Sequence, residues 1–216
     1  MVFGLMTSAY AVATGWFIGS QIGVTNTHNK AKTIQNMNGT TTLPPVIPSN
    51  TGGGARIFFG YNFNPYVALE TGFTRYATST YNVPTTVACN NPAIRESSLD
   101  LAGKGIMAIP TIGIGVFAKV GVARMRASQS GSLSSNNTNM ITPCGTNNGN
   151  KGTSVSLRPL VGVGVSYDLT QNWVTDLSWT RVSSGGGIQS ADFIALGISY
   201  HWVDKYCGQF LCGSSD

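Results

Sequence analysis

Charge is scarce in this sequence. Asp, Glu, Lys and Arg make up 10% of the 216 residues, against about 25% in ordinary soluble domains. The hydrophobic fraction is an ordinary 42%, and Gly, Ser, Thr and Asn fill the difference. Such a mixture suits a disordered chain or a wall that faces lipid. Aromatics at 10% exclude the first, because disordered chains hold few of them. Long apolar runs are missing too. No segment reaches the roughly 18–20 apolar residues of a spanning helix. The longest candidate, Lys104 to Lys119, contains Pro110 and several glycines, which break helices. A chain that crosses a membrane without such a helix must do so as a closed barrel, since lipid leaves no backbone group unpaired.

Histidine is nearly absent, with only His28 and His201, and no Walker, His-Glu-x-x-His or nucleophile-elbow motif occurs. A general base for neutral pH would have to be one of these two. His201 shares a strand face with Ser199. His28 stands between Thr27 and Asn29 with no evident acidic partner. A barrel enzyme needs a His with a positioned Ser or acid at its outer rim, so no enzymatic activity is expected; a lipid-modifying barrel enzyme is the remote alternative. No metal or other cofactor is expected either. The four cysteines, Cys89, Cys144, Cys207 and Cys212, lack zinc-site spacing and nearby His. They fit disulfides in an oxidising compartment. Pairing Cys89 with Cys144 and Cys207 with Cys212 is one of three open connectivities. The net charge of +5 does not point to nucleic acid, because no basic-aromatic cluster interrupts the pattern.

What the sequence does have is alternation. Eight segments repeat with period two, as strands with two different faces do. They run at about 15–25, 54–63, 66–76, 98–108, 114–127, 154–167, 173–181 and 193–202. The sixth is the clearest: Val155, Leu157, Val161, Val163, Val165 and Tyr167 oppose Ser156, Arg158, Gly162, Gly164 and Ser166. The polar faces are mostly Gly, Ser and Ala. A water-facing surface would carry roughly 25–35% charge, whereas small residues fit the crowded interior of a barrel of about eight strands. The aliphatic faces therefore point outward, into lipid. The predicted fold is an all-β, eight-stranded antiparallel up-and-down transmembrane β-barrel.

Connection lengths agree. Long Asn, Thr, Ser and Gly-rich loops at about 26–53, 77–97, 128–153 and 182–192 alternate with tight links at Asn64-Pro65, around Pro110, and from Asp168 to Asn172. Bacterial barrels have short periplasmic turns and long external loops. The aromatics Trp16, Tyr61, Phe63, Tyr66, Tyr167, Trp173, Tyr200 and Trp202 all fall near the short turns or the chain ends, as one interfacial girdle would. Residues 1–13 read as the remnant of a secretory signal, with Ala9-Tyr10-Ala11 in the small-x-small form of a cleavage site. The barrel occupies 14–202 and a short periplasmic tail 203–216.

Three stretches carry a family likeness. Gly15-Trp16-Phe17-Ile18-Gly19-Ser20-Gln21-Ile22-Gly23 resembles the first strand of the OmpA-type N-terminal barrel. Gly60-Tyr61-Asn62-Phe63-Asn64-Pro65-Tyr66-Val67, followed by Glu70 and Gly72, resembles its second strand, turn and third strand. Leu196-Gly197-Ile198-Ser199-Tyr200 resembles its last. The resemblance implies a polar, largely plugged barrel in the outer membrane of a Gram-negative bacterium, with external loops and periplasmic termini. It also implies roles in tethering the envelope, binding host surfaces or forming small pores. Only fourteen residues follow Trp202, so the family's peptidoglycan-binding domain, and tethering through it, are not expected.

Two groups of charges are candidate sites. The predicted lumen holds Arg56, Lys104, Lys119 and Arg158 with Glu70, Asp100 and Asp176. Unpaired buried charges are expensive, so an ion-pair network is expected. It is either a structural plug or a gate; Glu70 and Lys104 resemble the family's interior ion-pair residues. Lys30, Lys32, Arg95, Arg124, Arg126 and Lys151 lie in or beside the external loops, with Glu96 their one acidic neighbour. Such a basic rim suits lipopolysaccharide phosphates or sulfated host glycans, or simply anchors the barrel among lipid headgroups. The leading expectation is a monomeric surface protein that uses its loops for adhesion to, or invasion of, host cells. The partners expected are outer-membrane lipid, lipopolysaccharide and a host-cell receptor or glycan. The alternative is a structural envelope protein or a small ion-gated pore.

Overall fold

The computed structural model describes residues 14–35, 42–82, 93–109, 113–130, 140–141, 153–170 and 172–202. The described chain folds into β1 (Gly15–Asn26), β2 (Lys32–Gln35), β3 (Thr42–Val46), β4 (Thr51–Asn64), β5 (Val67–Arg75), β6 (Ser79–Thr80), β7 (Ala93–Ile109), β8 (Ile114–Ser130), β9 (Met140–Ile141), β10 (Thr153–Asp168), β11 (Trp173–Val182) and β12 (Ala191–His201). Eight of these close on themselves. Around the ring they run β1, β4, β5, β7, β8, β10, β11, β12 and back to β1, every neighbour antiparallel. This is the predicted barrel. The four short strands lie in the long connections. β3, β2 and β9 form a small separate sheet that joins the first long loop to the third.

Alternation builds the wall as expected. Along β5 burial switches at every residue, from exposed Val67 to exposed Arg75. Ile22 and Val120 stand outside at 70% and 67% exposure, while Phe17 and Phe58 on the opposite faces are buried. A soluble protein could not leave so much aliphatic surface bare; in lipid it is the favourable face. Aromatic rings gather at the short-turn end. Trp16 stacks on Phe59 and meets Tyr61 edge-on, Tyr61 meets Phe63, and Tyr200 meets both Trp173 and Trp202. The tight turn after β4 is held by Asn64, whose Oδ1 accepts the backbone N–H groups of Tyr66 and Val67, both at 2.8 Å.

Strand ends differ from the sequence expectation by more than one residue at the long-loop end only. β7 begins at Ala93 rather than Ser98, and β8 continues to Ser130 rather than Ala127. About 9–11 residues suffice to span the bilayer, so these 17-residue strands and the 16-residue β10 project beyond it. In the projection the polarity reverses. Arg95 and Arg126 face outward, and Ile94, Met125, Leu160, Val182 and Phe193 pack inside with Tyr76 and Tyr81. The long-loop end is thus built like a soluble protein, and the belt below it inside out.

Candidate functional site

Three layers fill the lumen: the apolar cluster just described, a layer of charges beneath it, and an aromatic layer towards the short turns. Arg56 is the hub of the charged layer. Its Nη2 donates to Glu70 Oε1 at 2.9 Å and to Asp100 Oδ1 at 2.7 Å. Lys119 Nζ reaches the same Glu70 oxygen at 3.4 Å. All four side chains are buried. Gly72 makes this possible, because a Cβ there would collide with the Arg56 guanidinium.

The expected seven-residue ion-pair network is in fact a four-residue one. Asp176 meets no cation within ion-pair distance among the described residues; Gln21 Nε2 donates to it at 2.5 Å across Gly197, which has no side chain to block the path. Lys104 sits opposite Lys119 in the register. Glu70 is already bound by Arg56 and Lys119, and Lys104 instead lies 4.0 Å over the Phe117 ring and 6.0 Å from that of Phe17. Arg158 turns to the long-loop end and donates to the carbonyls of Ser183 and Ile188 at 3.1 and 2.9 Å. These carbonyls belong to a tight link in which Gly186 and Gly187 hold φ of 47° and 83°, conformations that favour glycine. Below the charges, a cavity of about 30 Å³ is lined by Lys104, Glu70, Phe117, Asp176 and His201 among others. Its volume is enough for a water or two.

The long-loop end is closed by hydrogen bonds among groups that composition alone marks only as loop. Thr27 Oγ1 and Ser79 Oγ lie 2.7 Å apart, and Asn29 Nδ2 donates to Ser79 Oγ at 3.0 Å and to Glu96 Oε1 at 3.1 Å. Asn50 and Tyr81 donate to the carbonyls of Asn29 and Lys30. Glu96 is therefore buried within the cap, on the opposite face of β7 from Arg95. It stands above the apolar belt, and desolvation pushes its carboxyl up to about 7 against the pull of Asn29 and Arg158.

His28 does have an acidic partner. Its Nε2 lies 2.6 Å from Asp192 Oδ2, and Arg181 Nε is 3.8 Å from the other oxygen of the same carboxylate. The pair is distant in sequence and is made by the β1–β12 register, which sets Asn26 opposite Asp192. The neighbouring Thr27 hydroxyl is turned inward and bound to Ser79, so it does not complete a nucleophile with His28. His201 lies at the opposite end, between Ser199 Oγ at 3.1 Å and Asn62 Nδ2 at 3.2 Å, and stacks on Phe17. No carboxylate hydrogen-bonds to it among the described residues.

Of the expected basic rim, Lys30 is exposed in the first long loop, and Arg95, Arg124 and Arg126 are exposed on the outer wall. The Lys32 side chain, Lys151, the four cysteines and the two terminal segments 1–13 and 203–216 lie outside the described residues. Two further exposed arginines, Arg75 and Arg181, escaped the sequence reading. Their signal was available: each continues the outward parity of its strand, after Phe73 and Trp179.

Comparison with known proteins agrees with this architecture. An uncharacterised protein of Coxiella burnetii is 30% identical over 173 residues, covering 69% of this chain and 68% of the relative. Outer membrane protein A of Yersinia pseudotuberculosis is 24% identical over 207 residues, covering 93% of this chain and 52% of the relative. The chain thus spans about half the length of that protein. The crystal structure of Neisserial surface protein A superposes with a TM-score of 0.56 at 14% identity, over 88% of this chain and 99% of that one, a likeness of fold. The OmpA-like transmembrane domain family matches residues 11–205. This chain is an outer-membrane β-barrel and belongs to the OmpA-like transmembrane domain family.

Proposed function

We propose that the barrel displays its long-loop end outside the cell, with the short turns and chain ends in the periplasm, and uses that end for adhesion to or invasion of host cells. The observation that supports this most is the construction of the long-loop end. Closing hairpins requires only a few residues. Here β7, β8 and β10 rise past the belt, a second sheet ties the first loop to the third, and a hydrogen-bonded cap ties the first loop to the second and to β7. A rigid wall that fixes the described parts of its loops limits the entropy lost on binding, which suits recognition. The partners fitting this surface are lipopolysaccharide and a host receptor or glycan, met by a monomer.

The test is binding of the refolded barrel to host cells, against a version whose four long connections are replaced by tight turns. Binding by the intact barrel alone supports adhesion. Binding by neither, or equally by both, contradicts it. A second reading, a small gated pore, is favoured by Lys104, which borders the lumen cavity without a carboxylate partner among the described residues. On that reading Lys104→Glu or Glu70→Lys alters single-channel conductance. On the plug reading neither barrel conducts.

A further inference from the structure

Four arginines leave the barrel wall together. Arg75 ends β5, Arg95 lies near the start of β7, and Arg124 and Arg126 stand on β8; all are exposed. The register sets Arg75 opposite Ser97, Ser97 opposite Arg126, and Leu99 opposite Arg124. The four therefore surround Ser97 on three adjacent strands. With strands about 4.8 Å apart and residues about 3.3 Å apart, their Cα atoms cover roughly 10 by 13 Å.

Nothing among the described residues offsets this charge. None of the four forms an ion pair or a side-chain hydrogen bond there. The described acidic residues are engaged elsewhere. Glu70, Glu96, Asp100 and Asp176 are buried in the barrel, Asp168 sits at the short-turn end, and Asp192 takes His28 and Arg181. Like charges held this close destabilise a sheet unless an anion joins them.

The surroundings say which anion. The arginines stand where outward polarity changes: Phe73, Leu99, Leu101 and Val122 lie exposed just below. Beside Arg75 an open groove of about 880 Å³ follows Gly53, Gly54 and Ala55, flanked by Ile22, Val24 and Leu196. Positive charge, an apolar groove beside it and the bare aliphatic belt below complement an amphiphile with an anionic head and acyl tails. A soluble sulfated glycan would use the charge and leave the groove empty.

We propose that this wall is a binding site for a phosphorylated glycolipid of the outer leaflet. Its phosphates are held by Arg75, Arg95, Arg124 and Arg126, and an acyl chain lies in the groove beside Arg75. The assignment to the outer leaflet rests on the orientation proposed above; the site itself does not. Arg forms short bidentate bonds to phosphate oxygens, and Arg124, level with Leu99, has an aliphatic stem long enough to cover the edge of the belt while its head meets the interface.

The experiment uses the full chain in nanodiscs of neutral phosphatidylcholine, with retained lipid read by native mass spectrometry. The probes are a bisphosphorylated diglucosamine glycolipid, the same glycolipid without its phosphates, and phosphatidylglycerol. The bisphosphorylated lipid is expected to bind at least tenfold more tightly than either of the others. Arg95→Gln with Arg126→Gln lowers that affinity about tenfold or more, and Arg181→Gln, on the far wall, leaves it unchanged. Gly53→Phe, placed where a Cβ meets no atom within 4 Å, weakens it by filling the groove. Circular dichroism confirms the strand content of each variant. Equal affinity for phosphatidylglycerol, or an unchanged affinity in the double arginine variant, overturns the site and leaves headgroup anchoring only. Nanodisc binding does not depend on which side faces out in the cell, so the orientation fails or stands by its own test.

Discussion

At the scale of single residues, the interior is governed by how buried charges find partners. Arg56 binds two carboxylates at once. Its replacement by Ala strands Asp100, whose one ion-pair partner it is among the described residues, and is expected to cost about 3–5 kcal/mol, read from urea unfolding in lipid vesicles. Lys104→Met should cost far less, because that ammonium holds no carboxylate in ion-pair range. Glu96 predicts a pH dependence. A carboxyl raised to about 7 from 4.5 holds its proton more tightly folded than unfolded. The resulting stability is fully present below the unfolded value and is lost as pH rises through 7. Glu96→Gln cannot ionise, so it should gain on the wild type between pH 4 and pH 8, by order 2–3 kcal/mol; a constant difference across that range would contradict the burial argument. The residues of this network were legible in the sequence as inward-facing charges. Their pairing was not. Which cation reaches which acid depends on glycines such as Gly72 and Gly197 that open paths across neighbouring strands, and one strand's alternation says nothing of its neighbour's gaps. The His28–Asp192 pair was hidden for the same reason, since it exists only once β1 and β12 close the ring.

At the scale of strands, parity carries the account. Outward positions in the belt meet lipid and inward ones meet a packed lumen. Val163→Arg, outward and half-exposed, is therefore expected to cost about 2–4 kcal/mol near the bilayer midplane. The same substitution at Ser184, exposed in the link between β11 and β12 above the belt, should cost little by unfolding in vesicles. Equal costs would mean that the belt is misplaced. Alternation revealed all eight barrel strands, and it failed where polarity reverses. Beyond Leu99 the apolar residues move to the inside, as Ile94 and Met125 show, so an aliphatic-outward pattern read along β7 stops several residues early. The small strands β2, β3 and β9 left no such trace. They are two to five residues long, and pairing within the first loop and between it and the third, rather than local pattern, makes them strands.

At the scale of the whole molecule, a closed barrel with an inside-out belt carries a conventionally packed head at one end only. Family membership and the membrane were readable from composition, alternation and the Asn-Pro-Tyr turn. The hydrogen-bonded cap was not, because Asn- and Thr-rich loop sequence looks the same whether or not it is cross-linked by bonds such as Asn29 to Glu96. The arginine wall was half legible. Its residues stand out in the sequence, but their convergence around Ser97 needs the register of three strands. Adhesion and glycolipid binding in the cell both presuppose that the head faces outward. The most direct test places one short epitope within 184–187 and, in a separate chain, the same epitope within 169–172, and labels intact cells with an antibody that cannot cross the outer membrane. Labelling at 184–187 alone, with 169–172 labelled only after permeabilisation, is the predicted result. Labelling of intact cells at 169–172 alone would contradict the account.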